Sequence, residues 1–295
     1  MNWLDLHMHS VISDDGEFEP EKLMDMCREA GLKTVAVADH NSTKALGRAA
    51  VRAKENALEL IPAVELDCCI RDRELHILGY GIDPDYPEYE KVEQNLLAQE
   101  QESSKIRLRL AEEAGLIVDH DLVYELAHHG VVTGEVIAEA ALKNEENHGL
   151  LRDYLPGGKR SDNPYVNFYW DWCSQGKCAY APVEFISLDR AVEIITASGG
   201  VPILAHPGNN TREDEILLED IVKAGVRGIE VFSSYHTDEQ VEFYLEWVLK
   251  RQLLITAGSD FHGKTKPSIS IGGHGCTVPY EEMVRQLERI LGENG

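Results

Sequence analysis

Basic side chains are scarce: 28 Lys and Arg stand against 52 Asp and Glu in 295 residues, a formal net charge of −24. A chain this acidic repels a phosphate backbone over long range, which argues against a non-specific nucleic-acid binder and against long nucleic acid as a partner. A small anionic ligand remains open, because bound divalent cations invert the local field. Cysteine is sparse as well. Cys27, Cys68, Cys69, Cys173, Cys178 and Cys276 form no C-x-x-C pair, so a disulfide framework is not expected, and reduced thiols in a cytoplasm are. No apolar run approaches the ~20 residues needed to cross a bilayer, and no basic segment followed by an apolar core opens the chain. The expectation is a soluble cytoplasmic protein with no membrane partner. The G-x-S-x-G elbow of serine hydrolases and the G-x-x-x-x-G-K-[ST] phosphate loop are both missing. Nothing in the sequence specifies an oligomeric state.

Hydrophobic residues make up 43% of the chain, enough for one large α/β body or two modest domains. Seven short apolar runs read as strands: residues 3–6, 34–38, 61–66, 75–79, 201–205, 228–232 and 253–257. Helical patterns separate most of them. The first has Pro20 at its start, Leu23, Met24, Cys27 and Ala30 at helical spacing, and Gly31 at its end. Strands alternating with helices predict parallel pairing and a closed or nearly closed barrel. The alternation breaks between residues 84 and 180, where a long polar helix over 89–114 is predicted, with Leu96, Leu97, Ile106 and Leu110 as its buried stripe. Shorter helical pieces at 122–127 and 135–143 and an aromatic cluster at 165–172 follow. We expect residues 84–180 to form a helical insertion, or cap, domain on a barrel built from 1–83 and 181–295.

The polar residues are placed unevenly. His7 and His9 lie at i and i+2 of an extended segment and project to one side. His40, Glu65, His206, Asp260 and His262 also fall at or just past strand ends, and His76 lies near the start of its own strand. In a parallel barrel these ends converge on one face, where active sites are built. Imidazole mixed with carboxylate, without thiolate, suits Mn, Fe or Zn in a catalytic site. One metal takes three or four protein ligands, so about nine candidates imply two or three divalent ions. Such a cluster can clamp a phosphoryl group and deprotonate water.

Asp5-Leu6-His7-Met8-His9-Ser10, Ala38-Asp39-His40, Ala205-His206-Pro207 and Gly258-Ser259-Asp260-Phe261-His262 resemble the four motifs of the PHP (polymerase and histidinol phosphatase) superfamily. The order of motifs and the insertion resemble its stand-alone bacterial branch, which includes nucleoside 3′,5′-bisphosphate phosphatases, a 5′–3′ exoribonuclease and cyclic ribose-phosphate phosphodiesterases. The resemblance implies a distorted (β/α)7 TIM-like barrel with a two- or three-metal centre, and hydrolysis of a phosphoric ester by a metal-bridging hydroxide. It implies that His7, His9, Glu65 and Asp260 hold one metal, that Glu65 bridges to a second held by His76 and His206, and that Asp14, His40 and His262 hold a third. The family often has Ser-Asp-Gly where this chain has Ser13-Asp14-Asp15-Gly16, so the ligand is Asp14 or its neighbour Asp15. Asp39 is expected to support from behind the ligands.

Asp260 and His236 are the candidate catalytic residues. His236 precedes a helix with the Thr237-x-x-Gln240 capping signature, whose N-terminal amides favour an anion; it is expected to touch phosphate or protonate the leaving group. Lys177, within Gly176-Lys177-Cys178-Ala179-Tyr180, stands where relatives have a similar Gly-Lys-x-x-Tyr and is a second candidate phosphate contact. Nucleotide-acting relatives carry Thr-Arg in the insertion, whereas Thr133-Gly134-Glu135 stands here. That departure favours a small phosphorylated metabolite as partner, either a nucleoside bisphosphate or a cyclic sugar phosphate. A 5′–3′ exonuclease on short oligoribonucleotides is the alternative.

Overall fold

In the computed structural model, which describes residues 3–292, β1 (Leu4–Met8) leads to α1 (Pro20–Glu29), β2 (Thr34–Val37), α2 (Leu46–Glu55), the short β3 (Glu59–Leu60), β4 (Ala63–Ile70) and β5 (Arg73–Tyr80). Helices α3 (Pro87–Glu113), α4 (His120–Leu126), α5 (Gly134–Leu142) and α6 (Pro164–Phe168) follow, the last continued by a π turn at Tyr169–Cys173. Then come β6 (Ile186–Ser187), α7 (Leu188–Ala197), β7 (Val201–Leu204), α8 (Pro207–Asn210), α9 (Glu215–Lys223), β8 (Gly228–Ser233), α10 (Asp238–Arg251), β9 (Leu254–Gly258) and α11 (Tyr280–Gly292). Local chemistry accounts for many of the ends. Pro20 starts α1, Ser187 Oγ accepts from the Arg190 amide to cap α7, and Thr237 and Gln240 close a reciprocal capping box on α10. Among the described residues no helix is long and apolar enough to cross a membrane.

The strands form two sheets, a parallel β1–β2–β3 and a six-stranded β6–β4–β5–β7–β8–β9. Uniformly parallel pairing, the expectation from alternation, does not hold: β5 is antiparallel to both β4 and β7. The cause is connection length. Only Arg71 and Asp72 separate β4 from β5, Arg71 takes a left-handed φ of 58°, and two residues close a hairpin but cannot carry a helical crossover. The sheet edges also meet. The Asp260 amide donates to His7 O (2.7 Å) and the His9 amide to Phe261 O (2.9 Å), while the Glu65 amide donates to Asp39 O (3.1 Å) and the Asn41 amide to Glu65 O (2.7 Å).

Two separate apolar cores result. One fills the space among the strands and helices α1, α2, α7, α9, α10 and α11. The other, from Leu108 to Ala179, lies among α3 to α6. The buried side of α3 differs from the predicted stripe: Ser103, Ser104, Arg107, Leu108 and Ala111 are buried, whereas Ile106 is 39% exposed and Leu96, Leu97 and Leu110 are half-buried. Hydrogen bonds explain the shift. Ser103 Oγ donates to Pro182 O, Ser104 Oγ accepts from the Val132 amide at 2.7 Å, and Arg107 donates to Val132 O at 2.6 Å. Polar side chains face inward here because the packed loop offers backbone partners.

Candidate metal centre

His7 lies in β1, His9 directly follows its end, and both are fully buried. β4 brings Glu65 beside them. His206 directly follows β7, and Asp260 and His262 follow β9. Because β5 is reversed, the start of that strand lies beside the carboxyl end of its neighbours, which puts His76 opposite Asp67 and explains how a residue early in its strand reaches the same mouth. His7 Nε2 is 3.1 Å from Glu65 Oε2 and 3.4 Å from Asp260 Oδ1; His9 Nε2 is 3.2 Å and 3.0 Å from the same oxygens. His206 Nε2 and His76 Nδ1 both lie 3.1 Å from Glu65 Oε1. Donor atoms of His7, Glu65, His206 and Asp260 lie within 4.8 Å of one another, as do those of His9, His40 and His262, and those of His40, Asp67 and His76. The groups overlap: His7 and His9 share Glu65 Oε2 and Asp260 Oδ1, His76 and His206 share Glu65 Oε1, and His9 also lies with His40 and His262.

The tautomers decide what this cluster can hold. His7 Nδ1 meets Glu230 Oε1 (3.0 Å), His9 Nδ1 meets Ser13 Oγ (3.1 Å), His206 Nδ1 meets Asn210 Oδ1 (2.9 Å) and His262 Nδ1 meets Asp260 O (2.9 Å). Ser13 Oγ itself donates to Asp39 Oδ1, so it accepts from His9. With each Nδ1 proton spent outward, four Nε2 lone pairs turn inward, and those of His7 and His9 face each other at 3.1 Å. Glu65 Oε2 and Asp15 Oδ1 are buried there without a hydrogen-bond partner. Converging lone pairs and orphaned carboxylate oxygens are unfavourable unless a cation lies between them. The donor set fits a divalent metal.

The charges agree. Burial would raise the Glu65 carboxyl, but His7, His40 and His76 overcome it and hold it well below the usual range; for Asp260, Lys266, His262 and His7 do the same. Burial opposes charge on His7 and His40, yet Glu65, Glu230 and Asp260 raise the first, and Asp67 and Glu65 the second, well above 6.5. His262 is pushed down to about 4 by burial, which outweighs its pairing with Asp15. Backbone conformation is constrained too: His206 (φ 23°) and Asp260 (φ 57°) lie in the left-handed region, where a non-glycine residue costs on the order of 1 kcal/mol or more.

Several candidates lie elsewhere. Asp14 Oδ1 faces His129 Nδ1 (3.5 Å), while its neighbour Asp15 reaches His262 Nε2 (3.2 Å); the extra residue in Ser13-Asp14-Asp15-Gly16 moves the inward carboxylate one place along. His236 has both ring nitrogens occupied, Nδ1 by Val231 O (2.8 Å) and Nε2 by the Gly208 amide (3.0 Å). It braces β8 to α8 and has no proton to give a leaving group. Lys177 is exposed, and among the described residues no hydrogen bond or ion pair links its side chain to the cluster. Asp39 does support from behind, accepting from the Ser10 amide and from the Ser10 and Ser13 hydroxyls.

Others went unseen in the sequence. Glu230 is a fully buried carboxylate within an apolar run of β8, an oddity visible in Gly228-Ile229-Glu230-Val231-Phe232. Asp67, two residues after Glu65 and so on the same face of β4, meets His40 Nδ1 at 3.0 Å; the spacing that singled out His7 and His9 applies equally here. Lys266 (Nζ to Asp260 Oδ2, 2.7 Å) and Tyr235 (Oη to the same oxygen, 2.6 Å) left no pattern to find.

The profile of the PHP domain matches residues 5–155, half of the chain and three of the strand ends that build the cluster. The chain belongs to the PHP domain family. A phosphoribosyl 1,2-cyclic phosphate 1,2-diphosphodiesterase of Eggerthella lenta is 28% identical over 262 residues, covering 88% of this PHP protein and 94% of the relative. A 5′-3′ exoribonuclease of Haemophilus influenzae is 30% identical over 265 residues, 88% and 89% of the two chains. Among solved structures, a Bifidobacterium adolescentis protein, proposed to be a metal-dependent phosphoesterase, superposes with a TM-score of 0.78 at 26% identity, covering 98% of this chain and 96% of that one.

Proposed function

We propose that this PHP protein is a metal-dependent phosphoesterase that hydrolyses a small phosphorylated metabolite, with a cyclic sugar phosphate or a nucleoside bisphosphate as the substrate class. The observation that carries the reading is the convergence of four inward Nε2 lone pairs with the buried, unpartnered oxygens of Glu65 and Asp15. We take the site to hold two or three ions of Mn, Fe or Zn, with His7, His9, Asp15, His40, Glu65, His76, His206, Asp260 and His262 as ligands and Asp67 beside them. When bound, such ions stabilise charge on phosphoryl oxygens and acidify water near neutral pH. The protein's own part is orientation: Glu230, Ser13 and Asn210 fix the imidazole tautomers, and the left-handed turns at His206 and Asp260 aim those side chains at the shared space. We further infer that β1, β2, β4, β5, β7, β8 and β9 form a distorted (β/α)7 barrel joined at the bonded sheet edges. Residues 84–180 would then be a separate cap domain over its mouth. Six free thiols suit a reducing cytoplasm.

The exonuclease reading has the Haemophilus relative in its favour. Against it, the insertion presents few unpaired cations: Lys105 pairs with Glu102, Arg107 with Glu100, Arg109 with Glu113, Lys143 with Glu139 and Arg160 with Asp171. Near Asp15 the insertion brings a carboxylate. Glu135, buried in the first turn of α5, is raised to about 7 by burial and by Asp15. The deciding experiment assays a cyclic sugar phosphate, a nucleoside 3′,5′-bisphosphate and short RNA, each with added Mn and after chelation. We expect metal-dependent turnover of a small substrate and none for Asp260→Asn. Undiminished turnover by a folded, metal-quantified Asp260→Asn sample defeats the scheme, and preference for RNA moves the substrate to the alternative.

A further inference from the structure

We propose that Lys266 grips the phosphoryl group of the substrate, a role that rests on the phosphoesterase reading above. Lys266 follows the short helical turn Gly263–Thr265 beyond β9 and is 8% exposed. Its Nζ donates to Asp260 Oδ2 at 2.7 Å and lies 3.5 Å from His262 Nε2. Tyr235 Oη donates to the same carboxylate oxygen at 2.6 Å, and the ammonium stands 5.5 Å above the Tyr235 ring centroid. Asp260 is thereby divided. Oδ1 faces His7 and His9, at 3.4 Å and 3.0 Å, while Oδ2 is turned to Tyr235 and Lys266.

An ammonium carries three N–H donors, and Asp260 takes one. The approach to His262 depends on the lone pair of Nε2, because Nδ1 is committed to the Asp260 carbonyl. A cation held by His262 would take that lone pair, and it would also draw on the Asp260 charge that Lys266 neutralises in its absence. Asp15 and Glu65 also act on the ammonium, but a bound cation would draw on those carboxylates too, so the nearly buried ammonium would keep unfilled donors, and burial makes that costly. An entering phosphoryl oxygen meets that need through a charge-assisted hydrogen bond. The alternatives at this corner do not offer a positive charge: His236 has no free ring nitrogen, and the neighbouring α5 contributes the carboxyl of Glu135, which burial and Asp15 raise to about 7 against the pull of Lys266.

The test compares metal-loaded wild type with Lys266→Met, Lys266→Arg and Tyr235→Phe. Each is titrated calorimetrically with inorganic phosphate and analysed for metal content, and kcat/KM is measured on the best substrate. For Lys266→Met we expect normal metal content, phosphate affinity reduced by at least ~10-fold and kcat/KM by about 100-fold, the scale of losing one fixed donor to a developing oxyanion. Lys266→Arg should recover most of the phosphate affinity, since the charge is restored, and Tyr235→Phe should change it by less than ~3-fold because the ammonium remains. Unchanged phosphate affinity in Lys266→Met overturns the proposal. So does metal loss in step with activity, or an equal loss of phosphate affinity in Tyr235→Phe, since either result means Lys266 only orients Asp260. A wild type that binds metal and phosphate yet hydrolyses no phosphoester defeats the phosphoesterase reading instead.

Discussion

A methyl group on Gly258 would lie 2.2 Å from the His7 Cβ and 2.5 Å from Glu230 Oε1. Glycine is required there because β9 approaches β1 at the residue that carries the first imidazole. Gly258→Ala should push His7 off Glu230, lower metal content at least severalfold and cost on the order of 1–3 kcal/mol or more of stability, read by elemental analysis and thermal melting. His236 makes the opposite case. His236→Ala should lose about 1–3 kcal/mol, because the Val231 carbonyl and the Gly208 amide lose their partner, while kcat in the folded fraction stays within a few-fold; an abolished kcat with unchanged stability would restore it to the chemistry. These residues also mark what a sequence can show. His7, His9, Glu65, His206, Asp260 and His262 were legible because strands put their ends in one place, and a polar residue ending an apolar run stands out. His236 misled because a position before a capped helix says where the backbone goes and nothing of where two ring nitrogens find partners. Lys266 and Tyr235 were invisible, since only tertiary packing brings both onto one oxygen of Asp260.

At the scale of elements, the β4–β5 hairpin has the largest effect. It turns the chain back toward the amino end of the parallel strands, so α3 starts at that end of the sheet while His129 and Glu139 reach Asp14 and Lys264 at the other. Helix α3 covers that distance. Tyr89, in its first turn, bonds Ser198 at the end of α7, and its later turns hold the loop at Val132 through Ser104 and Arg107. Its 27 residues span about 40 Å at 1.5 Å per residue. Apolar periodicity could not locate its buried face, because that face is secured by hydroxyls and a guanidinium. Ser104→Val should leave the Val132 amide without an acceptor, cost roughly 1–3 kcal/mol and speed amide exchange at residues 128–134 ahead of the strands. Exchange that rises equally everywhere would show that the insertion unfolds only with the whole chain.

For the whole molecule, the main prediction concerns pH. The raised imidazoles of His7 and His40 stabilise the metal-free protein fully below 6.5, and that contribution is lost as pH climbs through their elevated values. The depressed carboxyls of Glu65 and Asp260 stabilise above 4.5 and 3.8, and their contribution is lost as pH falls through their lowered values. The network is therefore complete only in the mildly acidic window between these limits. Metal binding requires free imidazoles and releases their protons, so the gap in Tm between loaded and chelated protein should widen from about pH 6 to about pH 8.5; calorimetry in both states checks it, and a narrowing gap counts against the assignment of His7 and His40.

The backbone bond from the Asp260 amide to His7 O joins the first strand to the last. On the ribosome, the imidazoles of His7 and His9 emerge long before the carboxylate of Asp260 that completes their surroundings. Ion capture at this centre would have to wait for that carboxylate. A nascent chain, or a product truncated before Asp260, would offer only scattered weak donors to the cell's free metal pool.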